Sequence, residues 1–387
     1  MKETVYLKGL AWNHTRGYLP LVAAAQRFED LFGGVQISWE KRSLKSFGDG
    51  DLEATVRDFD LLVIDHPYVG QFAACSLVEP LNKHLSGDFI KDLQDHSVGK
   101  SFDSYWFAQQ LWAVPIDAAA PVSSARDDLL QAAGLSLPEK WEDVCDLARR
   151  GLVSVPATPV DSLMNFYMLC CVLGDEPFGR GGRLASRETG VRALQLLRDL
   201  IALCSPECLQ RNPIETYRRM VTDGDSFYCP FAFGYSNYSR LGYAPEQLTF
   251  RELVSLEGRP LRSTLGGAGL AISAQSSHIE CAVSYLTFVA SRSCQGSLYF
   301  SAGGQPAHRS AWLDAGINRN CRGFFQNTLS VLDRAYLRPR HHGYLRFQDE
   351  AASMIHGFLR NGGTPAEVLD TLEEVNSATG PLEQAAE

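Results

Sequence analysis

Apolar and polar positions alternate along the first third of the chain in a way that predicts strand, helix and strand in turn: Val5 to Leu10, an apolar-periodic helix from Pro20 to Leu31, then Val35 to Trp39. After a polar stretch from Lys41, the run Asp60-Leu61-Leu62-Val63-Ile64-Asp65 is apolar with acidic ends, as expected of a strand buried on both faces. A parallel, helix-covered sheet follows, and such sheets bind ligands beyond the carboxyl ends of their strands. The segments there are Trp12 to Gly17 and Asp65-His66-Pro67-Tyr68.

A second region starts near Leu111 to Asp117, whose Pro115 and aromatics suit a rigid crossing. The pattern then predicts a helix from Glu139 to Arg150, a strand from Leu152 to Val155, and helices from Ser162 to Leu173 and from Val191 to Leu203. Ser226 to Tyr238 is without charge and rich in aromatics, and its Pro and Gly argue for a loop carrying ring faces. Leu265 to Ile272 puts three glycines ahead of a strand, which permits a close backbone approach. Beyond His278 the pattern is helical over Ile279 to Ala290, Cys294 to Phe300, Phe324 to Tyr336, Tyr344 to Arg360 and Pro365 to Val375, with a disordered tail expected after Asn376.

Composition narrows the function classes. The 387 residues are 45% apolar and 21% charged, enough to build packed domains without extended disorder. Net charge is −9, the wrong sign for a general phosphate-backbone binder, and no stretch reaches the ~18 apolar residues of a membrane span. No nucleic acid partner and no membrane insertion are expected. Met1 leads directly into the first strand without an apolar leader segment, so the chain reads as cytoplasmic as written, or as periplasmic or extracellular if a leader has been removed. Ten irregularly spaced cysteines agree with reduced thiols.

Cys204 and Cys208 lack a partner pair, and His14, His66 and His84 are scattered, so no metal site is expected. The Gly-Arg-Gly-Gly of Gly179 to Gly182 matches no phosphate-binding fingerprint, and no Gly-x-Ser-x-Gly elbow is present. No cofactor is expected.

Four stretches, in their order, resemble the extracellular solute-binding protein family 1, the ABC transporter sugar-binding type. They are Asp65-His66-Pro67 with Leu77 to Leu81; Leu111 to Ser123; Pro138 to Val144, with Lys140 where the family's P-x-T-W-x-E-L start has Thr; and Gly266 to Ile272 with Ile279 to Ala290 and Gly303 to Ala307. The resemblance implies an α/β, bilobal, periplasmic-binding-protein-like fold of type II, with two α/β lobes joined by hinge segments and a ligand cleft between them. Lobe 1 would take residues 1–115 and about 266–310, and lobe 2 residues 116–265 and about 311–387. It also implies a small-molecule ligand, an ABC permease partner if the protein is exported, and a monomer.

Candidate ligand residues follow from the strand ends and from these stretches. Trp12, Asn13, His14 and Arg16 combine a stacking face, an amide, an imidazole and a guanidinium, with core packing and an ion pair as alternatives for Trp12 and Arg16. Asp65 offers hydrogen bonds or a cap, and His66 is the better ligand where Pro67 turns the chain. Asp117 either reaches the ligand or makes a hinge hydrogen bond. Tyr235 and Gly267 suit stacking and backbone contact, Trp312 closes a cleft or seals a helix, and Arg340, in the basic segment Arg334 to His342, faces an anionic ligand or solvent. Two readings stand: a solute-binding protein for a polar, carbohydrate-like or hydroxylated or carboxylated metabolite, and a cofactor-free isomerase, lyase or cyclase on the same scaffold, with His14 or His66 as base.

Overall fold

A computed structural model describes residues 4–42 and 56–380 of the chain. Two compact units emerge, the first made of Met1–Ala119 and Gly266–Asn318, the second of Ala120–Leu265 and Arg319–Glu387.

The first unit begins with β1 (Val5–Trp12), α1 (Thr15–Phe32), β2 (Val35–Arg42) and β3 (Leu61–Ile64). In β2 the exposures alternate, Val35, Ile37 and Trp39 in and Gln36, Ser38 and Glu40 out, as a half-buried strand requires. All four residues of β3 are buried, as its unbroken apolar run predicts. The chain continues through α2 (Gly87–His96) to β4 (Val114–Ala119), buried at every position.

It then enters the second unit with β5 (Pro121–Ala125), α3 (Pro159–Leu173), α4 (Arg187–Leu203), β6 (Tyr228–Phe233) and β7 (Thr249–Arg251). The chain returns to the first unit for β8 (Gly266–Ile272), α5 (Ile279–Ala290) and α6 (Arg309–Leu313). It finishes in the second with α7 (Phe324–Asp333), α8 (Tyr344–Asn361) and α9 (Pro365–Thr379).

The sheet of the first unit has the order β2-β1-β3-β8-β4. Strands β1, β2 and β3 are parallel, as expected, but β8 runs antiparallel to both β3 and β4, so the sheet is mixed. The strand that returns from the second unit enters from the opposite end, which alternation within one segment does not reveal. The second unit carries a three-stranded antiparallel sheet, β6-β5-β7. Its helical part packs α3 against α8, where the Tyr344 hydroxyl donates to the Tyr167 hydroxyl at 3.4 Å. Helix α3 is apolar on nearly every side and correspondingly buried, with Pro159 at its first turn and Gly174 ending it at φ 113°.

Several expectations are corrected. Helix α1 starts at Thr15 rather than Pro20, because His14 caps it. Leu152 to Val155 forms no strand; only Val153 makes a single bridge, to Tyr228. Ser226 to Tyr238 is not a loop with presented rings: it is β6 followed by a short 3-10 turn, with Tyr228 and Phe231 buried. Cys294 to Phe300 contains a wide turn at Gln295–Tyr299, and α9 continues helically through Thr379 where disorder was expected after Asn376. Most of the polar stretch after Lys41 and the last seven residues lie outside the described residues.

Candidate functional site at the carboxyl edge of the first sheet

Register fixes which strand ends share an edge. Leu10 pairs with Leu62, Ile64 with Gly269, and Gly267 with Ala118, so the ends of β1, β3 and β4 and the start of β8 gather on one side of the sheet. Trp12 to Arg16, Asp65, His66, Asp117 and Gly267 therefore meet there, as the carboxyl-end rule anticipates.

Two of the candidates are bound to each other. The Arg16 guanidinium donates from Nε to Asp117 Oδ2 at 2.8 Å and from Nη2 to Oδ1, with the two side chains 5% and 0% exposed. Burial pushes the Asp117 carboxyl up from its ordinary value, while the charge and hydrogen bonds of Arg16 pull it down. The pair ties the first turn of α1 to β4. Gly267 is explained by the same place: at φ +112° it lies so near the Asp117 carbonyl that a Cβ would sit 2.2 Å from that oxygen.

His14 caps α1, its Nδ1 accepting from the Arg16 backbone N–H at 3.0 Å. Burial, and secondarily the Arg16 charge, lower its pKa to about 4, so it is neutral near pH 7. The Trp12 indole covers Gly17, where a Cβ would come within 2.3 Å of the ring, and is 7% exposed. Asn13 is exposed, its backbone N–H donating to the Arg42 carbonyl at 2.8 Å. Asp65 caps the turn His66–Tyr68 by accepting from the His66 N–H at 2.8 Å; its side chain is 40% exposed whereas His66 is buried.

Sequence reasoning missed Arg42 and gave Tyr68 no role. Strand β2 runs three residues past Trp39, so Arg42 pairs with Trp12 and stands on the same edge. Burial lowers the Arg42 pKa to about 10, partly offset by Tyr68. No sequence signal reached Arg42, because the apolar run that marks β1 ends at Leu10, whose partner is Glu40, and the last two pairs, Ala11 with Lys41 and Trp12 with Arg42, form only in the folded sheet.

Other candidates lie elsewhere. Trp312 is fully buried, its Nε1–H donating to the Pro306 carbonyl at 2.6 Å, which matches the helix-sealing alternative. In the second unit, Tyr235 is 7% exposed and packs edge-on against Tyr217 at 6.3 Å. Arg340 is half-buried. Of its neighbours, Arg334 pairs with Glu252 and Arg338 donates to Gln348 Oε1 at 2.9 Å. A surface hollow of about 560 Å³ on the first unit, bordered by Ser291, Arg292, Ser297 and Ser310, contains none of the candidate residues. Among the described residues, metal-type donors come together at Asp92, His96 and His308, within 4.8 Å of one another.

Comparison with known proteins bears on this geometry. Residues 11–170 match the family described as bacterial extracellular solute-binding protein. An arabinooligosaccharide-binding protein of Halalkalibacterium halodurans is 22% identical over 264 residues, which are 64% of this chain and only 57% of the relative's length. Among solved structures, maltose-bound MalE3 of T. maritima superposes with a TM-score of 0.85 at 18% identity, over 97% of this chain and all of that one. A solute-binding protein of Agrobacterium radiobacter K84 in complex with ribitol gives 0.82 at 19% identity, over 97% and 98% of the two chains. The α/β solute-binding fold is thus the fold of this chain.

Proposed function

We propose that the chain, whose residues 11–170 match the bacterial extracellular solute-binding proteins, is a member of that family and binds a small hydroxylated solute, a sugar, short oligosaccharide or polyol. The observation that carries this reading is the set of polar side chains at one sheet edge, some of them accessible, held in place by a buried ion pair. Arg16 and Asp117 are the frame: their mutual bonds leave the recognition to neighbours. Asn13, neutral His14 and half-exposed Asp65 are the hydrogen-bonding groups, and Tyr68, whose hydroxyl acts on Arg42 of the same edge, would supply a ring face. A carboxylate such as Asp65 accepts from adjacent sugar hydroxyls, and an aromatic ring covers the apolar face of a pyranose.

The ligands of the similar proteins, maltose, ribitol and an arabinooligosaccharide, support the solute class. An ABC permease and a location outside the cytoplasm follow from the family and are part of the same proposal. Among the described residues no helix is long and apolar enough to cross a membrane. The isomerase or lyase alternative gains nothing from His14, because a base with a pKa of about 4 is poorly matched to proton abstraction near neutral pH.

The experiment is thermal melting of the purified protein with maltose, arabinooligosaccharides, tagatose and ribitol. One class should raise the midpoint in a concentration-dependent way, by the mass action of binding to the folded state alone. Asp65→Ala should weaken that ligand at least tenfold, the loss of about 1.4 kcal/mol expected for a charge-assisted hydrogen bond. Flat midpoints across all four would reject the proposal.

A further inference from the structure

We propose that Asp92, His96 and His308 form a binding site for a divalent transition-metal ion, of which zinc is the best chemical fit. Asp92 and His96 stand four apart in the last turns of α2 and so share one helix face. Just past the helix, Ser97 forms an antiparallel bridge with His308, and the Val98 N–H donates to the Ala307 carbonyl at 2.9 Å. This backbone pairing locks the start of α6, which His308 caps, against the end of α2.

The carboxylate faces both imidazoles with different oxygens. Asp92 Oδ1 is 2.9 Å from His96 Nδ1, and Oδ2 is 3.5 Å from His308 Nε2. The two rings lie 5.5 Å apart and nearly parallel.

An independent observation points to a ligand. The His308 side chain is 3% exposed, yet its Nε2, aimed at Asp92, has no hydrogen-bond partner of acceptable geometry. A buried polar atom left in that condition is costly, and native folds rarely keep one without a role. The other ring nitrogen, Nδ1, is 2.8 Å from the Ser310 hydroxyl. As the cap of α6, Nδ1 accepts from the Ser310 backbone N–H at 3.2 Å, which leaves the ring proton on Nε2; binding an ion at Nε2 moves that proton to Nδ1, where the Ser310 hydroxyl is its acceptor, the outer hydrogen bond typical of metal-binding histidines.

Two imidazoles and one carboxylate suit zinc and its neighbours, whereas magnesium and calcium prefer oxygen donors. His96 is about half exposed, which lets its ring turn so that the two lone pairs converge on an ion arriving from solvent. Arg292 adds positive charge nearby and works against the cation, so the affinity should be moderate.

The test is calorimetric titration of the full chain with zinc chloride and with magnesium chloride. Ten free cysteines, Cys75 exposed among them, are competing zinc donors, so Cys75→Ser is titrated alongside. His96→Ala, at an exposed helix end, removes a donor without touching the core. One zinc per chain is expected, with at least a tenfold loss in His96→Ala, no change in Cys75→Ser and no magnesium binding. Equal zinc affinity in wild type and His96→Ala, loss of binding in Cys75→Ser, equal binding of magnesium, or no zinc binding at all would overturn the proposal.

Discussion

Arg16 and Asp117 are more informative as a pair than as two candidate ligands. Replacing Arg16 by Met would strand a carboxylate in a site with no exposed area, a change that typically costs about 3–5 kcal/mol. Urea denaturation of Arg16→Met should show a loss of that order; a midpoint within error of wild type would mean the pair does not hold the edge together. His14 and Asp161 give opposite pH dependences. The folded pKa of His14 is about 4 against an ordinary 6.5, so between these values the unfolded chain holds a proton that the folded chain does not, and stability falls as pH drops from 6.5 to 4. Burial raises Asp161, in the second unit, to about 7 from 3.8, so there the folded chain holds the extra proton and stability falls as pH rises from 3.8 to 7. Denaturation at a series of pH values should find the acid limb flattened in His14→Gln and the loss of stability between pH 3.8 and 7 flattened in Asp161→Asn. Unchanged limbs in both variants would refute the assignment.

At the scale of elements, β1 and β3 were readable because their apolar runs are unbroken, and α1, α3, α5 and α8 because their periodicity is long. What escaped had a tertiary cause. Strand β8 is antiparallel because the chain re-enters the sheet from another unit, and β2 is extended by its pairing with β1 rather than by its own apolar pattern. The aromatic run around β6 looked like a loop because Pro230 and Gly234 interrupt it, yet Phe231 stacks on Trp141 at 6.2 Å and the segment is core. The glycines of β8 make a testable point. Gly267→Ala must shed both a φ of +112° and a Cβ 2.2 Å from the Asp117 carbonyl oxygen, and should lose at least the ~1–3 kcal/mol typical of a strained backbone site. Gly296, with nothing within 4 Å of an added Cβ, is the control: Gly296→Ala should be neutral or stabilising by up to ~1 kcal/mol. Equal melting curves for the two variants would remove the steric account of β8.

For the molecule as a whole, the order of motifs along the chain pointed to the solute-binding fold, and the comparison over 97% of its length agrees. The edge of the first sheet was legible too, since strand ends can be located from apolar runs alone. Which edge residues face a ligand was not, because Arg16 and Asp117 are 101 positions apart and only folding reveals that they satisfy each other. The donors of Asp92, His96 and His308 were hidden for the same reason. The proposed function asks the assembled chain to retain an intact solute, and native mass spectrometry of the protein incubated with an equimolar mixture of the four solutes measures that directly. The account predicts a single 1:1 adduct whose released ligand has its original mass. No adduct, or a released ligand of altered mass, would contradict it.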